Sequence, residues 1–214
     1  MTQSKLATGR QRGSHQVEVQ REGILEVAQA LFLQQGLENT TMVDIAAAAG
    51  ITKVTLYRYF PNRDEIALAV YPRILAMISG LLTTAEPSAG GPSLSLPNAR
   101  QLSRAMIRHF DTLRDAYRFF GVFDTLYLDY PPQADKAQWT AQRLSDMPWL
   151  QGTWTMEPQE QRAVVVLSAV IWFLEKIALR DDGTGSVQGI PVAEHLAILE
   201  EIATVYIEHL LARK

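Results

Sequence analysis

The chain has 214 residues, of which 47% are apolar and 20% charged, and its formal net charge is −3. Such a chain can bury a sizeable core, and its composition is that of a folded protein rather than a disordered one and argues against a generic polycation that coats nucleic acid. It contains no cysteine, which excludes disulfides, thiolate metal sites and cysteine nucleophiles. The charge is unevenly divided: residues 1–63 hold seven Lys/Arg and five Asp/Glu, a balance of +2, so the remainder carries −5. A mildly basic head on an acidic body suits nucleic-acid binding. No apolar stretch near Met1 resembles a signal peptide. The longest apolar run, residues 163–174, is interrupted by Ser168 and too short to span a bilayer. A soluble, cytoplasmic protein without a membrane partner is expected.

Residues 1–16 are polar and contain two glycines, the composition of a disordered arm. Lys5, Arg10 and Arg12 on this arm either follow a DNA backbone or remain a solvated tail. Residues 17–36 predict a helix, with Ile24, Ala28 and Leu31 on one face beside Leu25 and Phe32, and with Gly36 at its end. The stretch 40–64, T-T-M-V-D-I-A-A-A-A-G-I-T-K-V-T-L-Y-R-Y-F-P-N-R-D, then holds two short amphipathic helices separated by a four-residue turn. The first spans 42–49 with Ile45 and Ala49 inward, and Gly50 follows where a positive φ is needed. Thr52 is the N-cap of the second, 53–60, which Pro61 ends. The small side chains of Ala46 to Ala49 let the two helices cross closely. Helix, Gly-containing turn and second helix with exposed Lys, Thr, Tyr and Arg form a helix-turn-helix. The second helix would enter the major groove by its N-terminal turn. Lys53, Thr55 and Arg58 are then candidates for base or phosphate contacts, Val54 is placed to meet a thymine methyl, and Leu56 and Phe60 face the core. Thr40 and Thr41 precede the first helix, where either caps it and offers a hydroxyl to a phosphate.

Asn62 caps a long helix predicted over 63–84, with Asp64 and Glu65 in its first turn. Pro72 inside that span predicts a kink or an interruption near residues 70–71. Residues 86–97 have loop composition. A helix over 98–115 turns Leu102, Ala105, Met106, Phe110 and Leu113 inward, and after a bend an aromatic-rich helix continues over 116–129 until Pro131 and Pro132. A further helix is predicted over 133–147 and an irregular connection over 148–158. Residues 157–179 are apolar on all sides, residues 181–189 form a Gly-rich loop, and a last helix runs over 191–212 with a broad apolar stripe. Two such helices predict a homodimer through a four-helix bundle formed by residues 157–180 and 191–212. The alternative is a purely intramolecular core.

His109, Phe120, Phe123, Tyr127, Trp139 and Trp149 are candidates to line a small-molecule pocket between helices. Rings at helical spacing also fill ordinary cores. Arg100, Arg104 and Arg108, with Arg114 and Arg118 beyond, form a row that either meets an anionic effector or is a solvated face paired with Asp111 and Asp115. The four histidines are scattered, so neither a metal constellation nor a cofactor is expected.

The head resembles that of the tetracycline-repressor (TetR) family of bacterial transcriptional regulators. The resemblance is carried by Arg21, Ile24, Leu25, Ala28, Leu31, Phe32, Gly36, Thr40, Thr41, Ile45, Ala46, Ala49, Gly50, Leu56, Tyr57, Tyr59 and Phe60, followed by N-R-D-E-I. It covers roughly residues 17–68, and it departs from the family at Thr52, Val54 and Arg63, where Ser, a small residue and Lys are common. The resemblance implies a homodimer that binds a near-palindromic operator and is released when a small molecule occupies the body. It also implies that Tyr57, Tyr59, Thr40 and Arg63 stand at positions that contact phosphate. Taken together, the expectation is an all-α protein: an arm (1–16), a three-helix DNA-binding domain (17–62) and a six-helix ligand-binding and dimerisation domain (63–214). Effector binding would bias the fourth helix and change the spacing of the two recognition helices. The function is then a ligand-responsive regulator, a repressor and not an enzyme. The alternatives are a constitutive DNA-binding dimer and an all-α small-molecule-binding protein or enzyme. The last lacks any Ser-His-Asp, paired-carboxylate, phosphate-loop or metal pattern.

Overall fold

A computed structural model describes residues 3–85, 96–127, 158–181 and 183–212, with most of their side chains from residue 15 onward. These residues form eight helices and one small hairpin, the all-α class expected, and the chain divides into two compact units, residues 1–71 and 72–214.

The first unit begins with α1 (Gln3–Gln35). Its backbone is helical from Gln3, where the sequence suggests an irregular arm over 1–16. Gln, Lys, Leu, Ala and Arg favour helix, and without a proline the two glycines are a cost the longer helix absorbs. Gly36, at φ +92°, ends α1. Asn39 Nδ2 donates to Gln35 O at 2.9 Å and Thr40 Oγ1 to Gly36 O at 2.7 Å, so the last carbonyls of α1 are taken up by side chains. α2 (Met42–Ala48) and α3 (Lys53–Tyr59) have seven residues each, too short to be stable alone. Their packing on α1 and on each other supplies the stability, through a buried set that includes Ile24, Phe32, Ile45, Leu56 and Phe60. Ala49, expected inward, is the half-buried C-cap of α2, and Gly50 beside it takes φ +64°. The Arg21 guanidinium lies 4.8 Å from the Phe60 ring centroid, joining α1 to the end of α3.

α4 (Arg63–Ala85) starts with Asn62 Oδ1 accepting from Glu65 N at 2.9 Å. Of the kink or interruption expected near residues 70–71, the interruption is absent: Pro72 lies inside one continuous helix. Pro72 itself is exposed while Val70, Tyr71, Ile74 and Leu75 are buried, so apolar burial on either side holds the turns despite the missing N–H. By length and composition Arg63–Leu82 is also apolar enough to cross a membrane, a stretch longer than the expected 163–174. Its Ile66, Ile74, Ile78 and Leu82 are buried in protein, as in the core helix of a globular domain.

In the second unit, α5 (Leu96–Arg108) and α6 (Phe110–Tyr127) divide at His109 and not near residue 115. Backbone bonds of 3.0 Å from His109 N to Ala105 O and from Leu113 N to His109 O continue through the division. A bend without Gly or Pro leaves no local mark in the sequence. α7 (Pro158–Arg180) packs against α5 and α6, and α8 (Val192–Ala212) against α5 and α7. The Gly-rich segment between them contains an unexpected antiparallel hairpin, β1 (Ser186–Val187) with β2 (Ile190–Pro191). Gln188 at φ +54° and Gly189 at φ +79° make its two-residue turn.

Polar contacts tie these helices together. On α6, Arg114 pairs with the Asp181 carboxylate, whose Oδ1 also accepts from Gly183 N at 3.1 Å, and Arg118 Nε donates to Ala178 O at 3.4 Å. A Cβ at Gly121 would lie 2.6 Å from Leu179 Cδ1, so this glycine sets how closely α6 and α7 approach. Of the arginine row, Arg114 also pairs with Asp111 at 2.5 Å, as the solvated-face reading expects. Arg100 reaches Glu208 at 2.7 Å and Arg104 reaches Glu200 at 3.4 Å, because α5 lies directly on α8. Tyr117 stacks on Phe110 with centroids 5.9 Å apart, and burial, aided by the nearby Glu175 charge, pushes its hydroxyl well above the usual range. The predicted helix 133–147 and connection 148–158 lie outside the described residues.

Candidate nucleic-acid interface

The helix-turn-helix presents one face of α3 outward over a fixed base. Thr52 Oγ1 accepts from Thr55 N at 3.1 Å and meets Thr55 Oγ1 at 2.9 Å, which starts the helix and holds both hydroxyls locally. Leu56 and Phe60 are buried as expected. Lys53, Val54, Tyr57 and Arg58 are exposed, Thr55 and Tyr59 half-buried. Val54 is 75% exposed, a large value for a branched apolar side chain. Lys53 Nζ lies 5.8 Å from the Tyr57 centroid, so a cation and a ring share the first turn of the exposed face.

The residues before α2 divide into two kinds. Thr41 is exposed and closes a capping box with Asp44. Its N–H and hydroxyl donate to Asp44 Oδ2 at 2.8 and 2.7 Å, and Asp44 N donates back to Thr41 Oγ1 at 3.2 Å. These bonds, the hydroxyl one first, hold the Asp44 carboxyl below its ordinary range. Thr40 is different. It is 0% exposed, and its hydroxyl donates to Gly36 O and accepts from Gln35 Nε2 at 3.3 Å. The expected Thr40 phosphate contact is therefore corrected: the hydroxyl is spent closing α1. Arg63 is also drawn inward. Its Nη1 lies 3.2 Å from Leu37 O, 3.4 Å from Glu38 O and 3.5 Å from Thr40 O. The sequence gives no sign of these contacts, which join residues 23 to 26 positions apart.

The proposed pocket residues are spread differently. Phe120, Phe123 and Tyr127 are buried, and with Phe119 they pack ring on ring at centroid distances of 4.7 to 5.7 Å. His109 is half-buried at the α5–α6 bend. Trp139 and Trp149 lie outside the described residues. Among the described residues, two grooves open on α7 and α8. One, of about 280 Å³, is apolar and lies between Val165, Val170 and Phe173 of α7 and Leu199, Ile202 and Tyr206 of α8. The other, of about 220 Å³, lies between α7 and the hairpin beside Trp172 and Lys176. Within one chain α7 is thus left uncovered on one side. Val165, Trp172 and Phe173 on α7 and Ile198, Ile202, Val205 and Tyr206 on α8 are exposed. Among the described residues, no group of three His, Asp or Glu is placed to hold a metal ion.

Comparison with known proteins meets this geometry in the head. Residues 24–70 match the model of "Bacterial regulatory proteins, tetR family". The chain is similar to the HTH-type transcriptional repressor KstR2 of Mycobacterium tuberculosis, 42% identical over 55 residues, 26% of this chain and 28% of KstR2. The curated relatives first matched are spanned over only 28% to 42% of their length. Among solved structures, the fold is similar to a tetR-family transcriptional regulator from Streptomyces coelicolor, with TM-score 0.56, 20% identity, and coverage of 92% of this chain and 90% of that one. It is also similar to Thermus thermophilus FadR, a TetR-family transcriptional repressor in complex with lauroyl-CoA, with TM-score 0.52, 18% identity, and coverage of 86% and 93%.

Proposed function

Because this chain belongs to the tetR family of bacterial regulatory proteins through its residues 24–70, we propose that it is a DNA-binding transcriptional repressor acting in the cytoplasm. The observation that carries the reading is the exposed face of α3, with Lys53, Val54, Tyr57 and Arg58 outward over buried Leu56 and Phe60. A cation, an apolar group able to read a thymine methyl and a phenol able to reach a phosphate are what a major-groove helix needs. Thr41, Thr52 and Thr55 stand beside them with local hydroxyl partners, and half-buried Tyr59 adds a second phenol. These positions set register on the backbone more than they read bases.

The protein acts as a homodimer through the segments 157–180 and 191–212, which contain α7 and α8. The exposed apolar residues of these helices form a contiguous groove and ridge that a second copy would cover. Two recognition helices then meet half-sites one helical turn apart, about 34–36 Å, on a near-palindromic operator. A small-molecule effector binds in residues 63–214, a reading supported by the similar fold of FadR, which was solved in complex with lauroyl-CoA. A second reading, a constitutive dimer without effector, draws support from Phe119, Phe120, Phe123 and Tyr127, which fill their own space ring against ring. Neither reading assigns the chain catalysis, and its relatives are regulators.

The test is selection of duplexes from a random library by the full chain, read by sequencing. A near-palindromic consensus supports the proposal, and recovery of no enriched sequence sinks it. A thermal-shift screen against acyl thioesters and other apolar compounds separates the two readings, since a ligand that binds only the native state raises the melting temperature.

A further inference from the structure

We propose that Arg63 is a positioning residue of the DNA-binding head, gripping the loop before α2 and holding the α2–α3 pair in register without touching phosphate itself. The inference rests on the DNA-binding reading above. The Arg63 guanidinium is partly buried, and Nη1 faces three loop carbonyls at 3.2 Å (Leu37), 3.4 Å (Glu38) and 3.5 Å (Thr40). Its carboxylate neighbour, Asp64, stands at 3.9 Å from Nε, too far for a strong competing pair. The Nη1 amino group carries two N–H bonds, so it can serve two of these carbonyls at once.

The gripped loop is rigid at both ends. Leu37 and Thr40 are fully buried, and the Thr40 hydroxyl donates to Gly36 O at 2.7 Å. Thr41, the next residue, is the N-cap of α2. α2 is in turn tied to the turn before α3 by Gly50 N to Ala47 O at 3.1 Å and Ile51 N to Ala46 O at 3.0 Å. A displacement of the loop therefore carries α2, and with it the exposed residues of α3. Without Arg63, the outer loop carbonyls turn to water, so the loop loosens while the head's apolar core stays intact. The cost falls on DNA geometry.

Direct phosphate contact and positioning differ in their salt dependence. Each phosphate neutralised by the protein contributes about 0.9 to the slope of log affinity against log salt. A residue that only positions others lowers affinity without changing that slope. The experiment uses the full chain and a duplex it selects from a random library, with binding measured across a salt series for wild type, Arg63→Met and Arg63→Lys. Met keeps the stem and removes the donors; Lys keeps the charge and removes the guanidinium. Circular dichroism verifies that each variant is folded at the assay temperature. The expected result is an affinity loss of about tenfold in both variants, slopes equal to wild type, and faster amide exchange over residues 37–41. Should Arg63→Met not fold, Arg63→Lys gives the same reading, because its retained charge preserves any phosphate contact. A slope lowered by about one per head, wild-type affinity in either variant, or unchanged exchange in the loop overturns the inference. Failure of the wild-type chain to select any duplex defeats the DNA-binding reading, and this inference with it.

Discussion

At Val54 an isopropyl group stands 75% exposed in the first turn of α3, where it stabilises nothing within the head. Replacing it with Ser is therefore expected to leave the melting temperature nearly unchanged, within about 0.5 kcal/mol. The same change removes apolar contact with a thymine methyl, about 1 kcal/mol of discrimination. Sequencing of duplexes selected by V54S should show relaxed preference at one position in each half-site, and an unaltered consensus would exclude Val54 from base reading. Asp44 acts by charge. Its folded carboxyl is held below the unfolded value, chiefly by the Thr41 hydroxyl and then by the Thr41 N–H. A depressed carboxyl contributes stability that is present above the unfolded value and lost as pH falls through the folded one. The stability difference between wild type and Asp44→Asn, from urea unfolding, should then shrink between about pH 5 and about pH 3. A difference that grows on acidification contradicts the capping box.

Between elements, one buried carboxylate just past the end of α7 helps tie it to α6. The Asp181 side chain is 1% exposed, paired with Arg114 and accepting from Gly183 N. Arg114→Ala leaves that carboxylate buried without its cation and should cost about 3 kcal/mol in denaturant unfolding. Adding Asp181→Asn removes the stranded charge, so the double variant should be less destabilised than the sum of the singles. Strict additivity would mean that the two side chains do not support each other. In the head, by contrast, helices of seven residues are held by caps and by packing, and no single ion pair decides their order.

For the whole molecule, the exposed apolar residues of α7 and α8 are the features a lone chain explains least. Val165, Ile202 and Val205 are 62%, 56% and 60% exposed. On an isolated chain a polar substitution at Ile202 would change stability by less than about 0.5 kcal/mol. If a second copy covers this face, Ile202→Asp buries a charge in the interface. Sedimentation should then show the mass of one chain where wild type shows two, and affinity for the selected duplex should drop at least about tenfold through lost bivalency. Wild type sedimenting as a single chain would remove the dimer from the proposal.

The sequence by itself determined the head. Its caps at Thr41, Thr52 and Asn62, the positive φ of Gly36 and Gly50, and the inward Ile45, Leu56 and Phe60 are local consequences of residue type at short spacing. Tertiary structure decided what those local rules cannot reach. Thr40 and Arg63 stand in the same stretch as exposed Lys53 and Arg58, yet packing turned both inward onto the α1–α2 loop. Arg100 found its carboxylate 108 positions away on α8, and not one turn along its own helix. Period and capping act over a few residues, whereas the partner of a charged side chain depends on which distant element packs against it.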